Sequence, residues 1–220
     1  MSNKLYYSSI TKKILMSLLG LFLLVFLVVH LTVNSFLLFS NELFNEGAYF
    51  MGTNSFIQVF QWVLFAGFAI HIFYGIVLQI QNWMSRPKAY KKRAIMEQSP
   101  FSKYMIYTGI VIFIFLIMHL NNFFFVKMGW AGHGIVKLAN GEDDMALLVT
   151  NLFHNGYYVF IYVVLLLTMG FHLDHALQSA FQSLGLNHPT YWSFIKGLSR
   201  GYAIVVTLGF VIIPLFIYFK

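Results

Sequence analysis

FHLDHALQSAFQSLGLNHPTY, residues 171–191, places two histidines and an aspartate, His172, Asp174 and His175, inside an otherwise apolar helix. An ionisable group inside an apolar helix is expensive and usually functional. Working outward, the whole chain shares this character. It is 59% hydrophobic, 19% aromatic with 25 Phe, and only 10% charged. A soluble domain of 220 residues cannot hide that much apolar surface, so the expected class is all-α integral membrane.

Five runs reach the roughly 20 apolar residues a bilayer crossing needs. They fall at about 14–39, 56–83, 101–126, 152–184 and 194–219, within one domain spanning 1–220. The segments between them are polar or contain Gly and Pro: SNELFNEG, MSRPKAYKKRAIMEQSP, KMGWAGHGIVKLANGEDD and GLNHPTYW. Several runs exceed the minimum, which implies tilt or protrusion into water. The first run is too long for a signal peptide and is expected to stay as a span.

The formal charge of +7 does not indicate nucleic acid, because the basic residues follow a topological pattern. With five spans, Lys4, Lys12, Lys13, Arg86, Lys88, Lys91, Lys92, Arg93, Lys103, Lys196 and Arg200 share one side. Lys127, Lys137 and Lys220 lie on the other, beside Glu42, Glu46, Glu142, Asp143 and Asp144. Eleven against three predicts a cytoplasmic N-terminus and an outer C-terminus. Setting topology and meeting anionic lipid explains most of these residues. The loop 86–93 could in addition dock a soluble partner.

Cysteine is absent, which excludes disulfides and thiolate metal sites in this chain. Histidine is the remaining candidate ligand. His30, His71, His119 and His172 lie deep in the first four spans, one in each. His175 follows one turn after His172, whereas His133, His154 and His188 fall in loops or at helix ends. A single intramembrane histidine is as readily an interhelical hydrogen bond. One per helix on four helices points instead to a shared ligand role, since neutral imidazole ligates iron on both faces of a planar macrocycle.

Depth sorts the four. His30 lies 17 residues after Lys13 and His119 lies 16 after Lys103, about 25 Å from the inner edge at 1.5 Å per residue. His71 lies 15 residues before Arg86 and His172 lies 13 before Gly185, about 20 Å from that edge. The expected pairs are His30 with His119 nearer the outside and His71 with His172 nearer the cytoplasm. Gly20, Gly67, Gly75, Gly109 and Gly170 are positions where a flat ring could cross a helix, or where helices simply pack closely. At about 100° per residue, His175 can neighbour the same cofactor, whereas Asp174 falls on the opposite helix face.

These residues carry a resemblance. The chain resembles, over nearly its whole length, the di-haem, five-helix cytochrome b membrane anchors of succinate:quinone oxidoreductases, the succinate dehydrogenases and quinol:fumarate reductases. HLTVNSF at 30–36 is similar to the family's first-helix ligand motif, HIFYG at 71–75 to its H-x-x-x-G segment, and SRPKAYKK at 85–92 to its cytoplasmic loop. His119 takes the third ligand position. The fourth-helix stretch keeps the family's 13-residue spacing from ligand to helix-ending glycine, His172 to Gly185.

The resemblance implies a bundle in which the first four helices hold two haem b groups, with His30, His71, His119 and His172 as axial iron ligands. It implies flavoprotein and iron–sulfur subunits docked on the cytoplasmic face, and a membrane quinone, menaquinone, as substrate. It places the chain in the bacterial inner (cytoplasmic) membrane and leaves room for a homo-oligomer of the whole complex. The anchor would carry electrons and have no dicarboxylate chemistry of its own. Some quinol:fumarate reductases of the family have an acidic residue where this chain has Gly170, which favours succinate oxidation here. Quinone hydrogen-bond donors are sought at Asn34, Asn121, Asn122 and His154 near the outer pair, and at Ser17 and Trp83 near the inner side. Two alternatives remain: a cytochrome b subunit of a hydrogenase or formate dehydrogenase, and a transporter relaying protons through histidines.

Overall fold

The computed structural model describes residues 9–84, 104–132 and 134–220, the side chain of Ser9 excepted. The basic loop 86–93, Lys4, Lys103 and His133 lie outside the described residues. The elements run α1 (Ser9–Ser35), a 3₁₀ turn (Phe36–Leu38), α2 (Asn41–Thr53), α3 (Ser55–Met84), α4 (Met105–His119), a π turn (Leu120–Phe124), α5 (Phe125–Lys127), α6 (Met145–Phe153), α7 (Gly156–Ser183) and α8 (Pro189–Phe219). Among the described residues there is no strand, only an isolated bridge between Lys137 and Asp143. Five helical segments are long and apolar enough to cross a membrane: Ile10–Leu38, Ser55–Met84, Met105–Lys127, Gly156–Ser183 and Pro189–Phe219. The chain is an all-α, multi-pass membrane protein.

Three boundaries differ from the sequence expectation, each because a polar side chain caps a helix where apolar content runs on. SNELFNEG, read as a separator, opens α2: Ser40 Oγ accepts the Leu43 N–H at 3.0 Å, satisfying one of the free donors of a helix start. The run at 152–184 splits, because Asn155 Oδ1 accepts the Tyr157 N–H at 3.0 Å and starts α7 afresh. Leu152 and Phe153 therefore belong to α6. The last span begins at Pro189 instead of 194, with His188 Nδ1 accepting from Thr190 N and proline in the first turn, where its missing N–H costs nothing.

The end of α7 is set by the glycine the sequence pointed to. Gly185 has φ +78°, which only glycine adopts freely. Leu186 N donates to Phe181 O at 2.8 Å and Gly185 N to Gln182 O at 3.1 Å, the paired bonds of a Schellman ending.

Packing is uneven around the bundle. The most extensive helix contact is between α7 and α8, and α1 leans on both. Tyr202 of α8 donates its hydroxyl to the Leu24 carbonyl of α1 at 2.6 Å. One buried cluster includes Leu166, Met169, Leu173, Ala203 and Val206; a second, toward the outer end, includes Leu37, Phe44, Val149, Tyr162 and Ile217. A polar clasp holds that outer end: Asn45 donates to Asp144 Oδ1 at 3.0 Å and accepts the Ala146 N–H at 2.8 Å, tying α2 to α6. In contrast, α3 buries only Gly67 and α4 buries nothing. Their inner faces look onto open space.

Candidate functional site

That space is a cavity of about 1970 Å³ running between α1, α3, α4 and α7. It is roughly twice the upper end of the 300–1,000 Å³ usual for a single small-molecule site. His30, His71, His119, His172 and His175 all line it. Each arrives from an apolar helix whose neighbours offer it little polar company, so the cavity wall is where imidazole chemistry concentrates.

The outer pair is in direct register. The rings of His30 and His119 have centroids 5.7 Å apart and stand 89° to each other. Two imidazoles sharing one metal through bonds of about 2 Å need centroids about 6 Å apart, so the pair fits a single metal between them. Aromatic side chains enclose it. Phe26 stacks on His30 at 5.3 Å and Phe210 lies at 5.6 Å; Phe115 and Phe123 flank His119 at 5.7 and 5.1 Å. The π turn Leu120–Phe124 follows His119 immediately. Such turns often mark functional sites. From it Asn122 donates to the buried Tyr162 hydroxyl at 2.9 Å, and Tyr162 packs against His119 and Phe123.

Glycine contacts locate the inner pair. A Cβ on Gly20 would lie 3.8 Å from His71 Cε1, and one on Gly109 would lie 3.8 Å from His172 Cε1. Gly20 precedes His30 by ten residues, and Gly109 precedes His119 by ten. The two levels are therefore separated by about 15 Å on both α1 and α4. The sorting into outer and inner pairs follows the sequence expectation, but the separation is about three times what counting from loop edges gives. Loop charges mark where chains leave the membrane, and helices as long as α3 and α7 overrun that plane by different amounts.

Orientation at His172 comes from a residue the motif reading did not include. Thr108 donates its hydroxyl to the Met105 carbonyl at 3.0 Å, and the same oxygen lies 3.1 Å from His172 Nδ1. With its proton committed, Thr108 accepts from Nδ1–H, which leaves Nε2 with the free lone pair a metal requires. A polar residue beside Gly109 in an otherwise apolar helix was the available signal. Nδ1 of His71, His119 and His175 is sealed from solvent with no hydrogen-bond partner among the described residues. Among the described residues no cluster of three or more His, Cys, Asp or Glu forms a metal site. The facing imidazoles of His30 and His119 are a donor set that fits bis-imidazole haem.

The remaining residues divide. Asn34 lines the cavity, donating to the His30 carbonyl at 2.8 Å with its amide nitrogen 3.4 Å from Nδ1. Ser17 and Trp83 also line it, although Ser17 donates to Lys13 O. Asn121 is exposed, and His154 caps α6 with Nδ1 on the Thr150 carbonyl at 2.7 Å; neither is part of the wall. Asp174 is buried, accepts from Gln178 at 2.9 Å, and stays off the wall as its helical phase requires. Among the glycines, Gly67 and Gly75 admit Phe22 and Met16 of α1, and Gly170 admits Thr207 of α8. Among these five, only Gly20 and Gly109 face histidines, His71 and His172.

Comparison with protein-family models, curated proteins and solved structures gives no match. The functional reading rests on this geometry and on the sequence motifs.

Proposed function

We propose that the chain is the cytochrome b membrane anchor of a succinate:quinone oxidoreductase. The observation that supports the reading is His30 facing His119 on one large cavity, with His71 beside Gly20 and His172 beside Gly109, ten residues earlier on the same two helices. His30 and His119 would hold the outer haem b, His71 and His172 the inner one. Bound haem supplies one-electron redox chemistry, moving electrons between an iron–sulfur subunit on the cytoplasmic face and a membrane quinone.

The chain's own part is to hold, orient and dehydrate. Thr108 fixes the His172 ring by accepting from Nδ1. Phe26, Phe115, Phe123 and Phe210 keep water from the outer pair and lower the local dielectric, which tunes potential by burial. His175 stands on the wall one turn inward of His172. Of the proposed quinone donors of the outer pair, Asn34 is the one on the cavity wall, its amide beside His30. Direction is proposed as succinate oxidation. Position 170 faces Thr207 on α8, away from the cavity, and carries no acid to move protons. Electrons passing from the cytoplasmic face to a quinone at the outer end would move toward the positive side, so the membrane potential would drive the transfer by about 2.3 kcal/mol per charge per 100 mV.

A haem assay on the purified chain tests the reading. Two b haems per chain are expected, falling to one in His172→Ala with the outer centre's spectrum unchanged. A colourless protein would overturn it and favour a histidine proton relay. Co-purification with a flavoprotein and an iron–sulfur protein separates this anchor from hydrogenase and formate dehydrogenase types.

A further inference from the structure

The outer mouth of the cavity contains a cation that nothing above employs. Lys127 ends α5, eight residues beyond His119, and its half-buried side chain lines the cavity. Side chains on a helix lean toward its N-terminus, so Lys127 leans back into the cavity, toward the level of the outer histidines. Its ammonium lies directly over Gly52 of α2, in space that a Cβ would occupy. The Gly52 carbonyl is already satisfied by Gln58 Nε2 at 2.9 Å. Asp143 is the carboxylate that acts on Lys127, and it is also paired with Lys137. The ammonium therefore sits at the rim of an apolar chamber, and the carboxylate that acts on it is shared with Lys137.

A charge held partly out of water is costly unless an opposite charge meets it. Other outer-side cations avoid that cost: Lys137 is paired, and Lys220 sits over the Phe216 ring at the chain end. Lys127 is instead aimed along a wall shared with Met51, Phe56, Gln61 and Phe124. What enters here from the cavity side should carry an anionic oxygen. A b haem carries two carboxylates on one edge, and the outer pair lies about 12 Å along the helix from Lys127.

We infer that Lys127 is the carboxylate-binding residue of the outer macrocycle, seated by Gly52, and that it raises that centre's reduction potential. The inference rests on the proposed haem reading. A lipid phosphate reaching in from the outer leaflet offers the same oxygen chemistry and is the competing source.

The experiment is a redox titration of the purified chain, followed optically, with haem and bound phospholipid quantified. Lys127→Gln should lower the potential of one haem by about tenfold in its reduction equilibrium, about 59 mV for one electron, and leave the other unmoved. Lys127→Arg should restore most of it. Both potentials unchanged with two haems bound would overturn the assignment while leaving the proposed function standing. Loss of bound phospholipid with unchanged potentials would assign the site to lipid and equally overturn it. A wild-type chain without haem would overturn both readings. Should Lys127→Gln fail to assemble, Gly52→Ala, which pushes the ammonium aside, should shift the same haem in the same direction by a smaller factor; no shift there would also overturn it.

Discussion

Helices α4 and α8 are close in mean hydropathy over their best windows, 2.2 for Met105–Lys127 and 2.4 for Pro189–Phe219, yet none of the first window is buried and 44% of the second is. The same apolar chemistry serves two purposes. On α8, Ala203, Val206 and Ile217 are buried and join the two core clusters. On α4, the residues around Gly109 and Phe115 meet lipid on one side and the cavity on the other. Protein interiors are close-packed, so an unpacked face this large in a folded bundle is a built space. The glycines make the same distinction atom by atom. At Gly170 and Gly209 a Cβ would come within 2.6 Å of Thr207 and 2.8 Å of Leu31; at Gly20 and Gly109 it would find only ordinary contact at 3.8 Å.

This contrast can be broken in order of effect. Replacing His30 or His119 by alanine should remove the outer haem entirely, read as a fall from two haems to one, without loss of folded protein. Failure to fold would mean the cavity wall itself carries the core. Gly170→Ala comes next, costing about 1–3 kcal/mol by overpacking, because branched Thr207 has little room to turn. Gly209→Ala should cost less, since Leu31 can move its chain end; thermal unfolding in detergent ranks the pair. Thr108→Val should leave stability within about 1.5 kcal/mol but weaken haem retention at the inner site by about 10–100-fold, measured by haem competition. The smallest effect is expected at Gly20 and Gly109. Alanine there should change stability by no more than about 1 kcal/mol, in the stabilising direction, through helix propensity. If either destabilised as much as Gly170→Ala, the two halves would not differ in packing.

Much of the site was legible because ionisable residues stand out in apolar helices. One histidine per span identified the four wall residues, and Gly185 with Pro189 fixed the turn from α7 to α8. Asp174 was correctly separated from the cavity by helical phase alone. What escaped was of two kinds. Short polar caps, Ser40 and Asn155, started helices inside segments read as a separator or as continuous span. Interhelical partners could not be found by motif: Thr108 under His172, Tyr162 behind His119, and Lys127 over Gly52. Asn121 and His154 show the converse, polar residues at the right depth that face outward or cap a helix.

The sequence by itself determined that this chain crosses a membrane as helices, and which helices carry imidazole in which order of depth. Both follow from hydropathy and a fixed rise per residue, which are local properties. Only the tertiary structure decided that α3 and α4 stand off from the bundle to leave a cavity, that its two histidine levels lie about 15 Å apart, and which glycine meets a ring and which a helix. Those are questions of how long helices lean on one another. Apolar residues facing lipid, core or cavity have the same composition, so composition could not distinguish them.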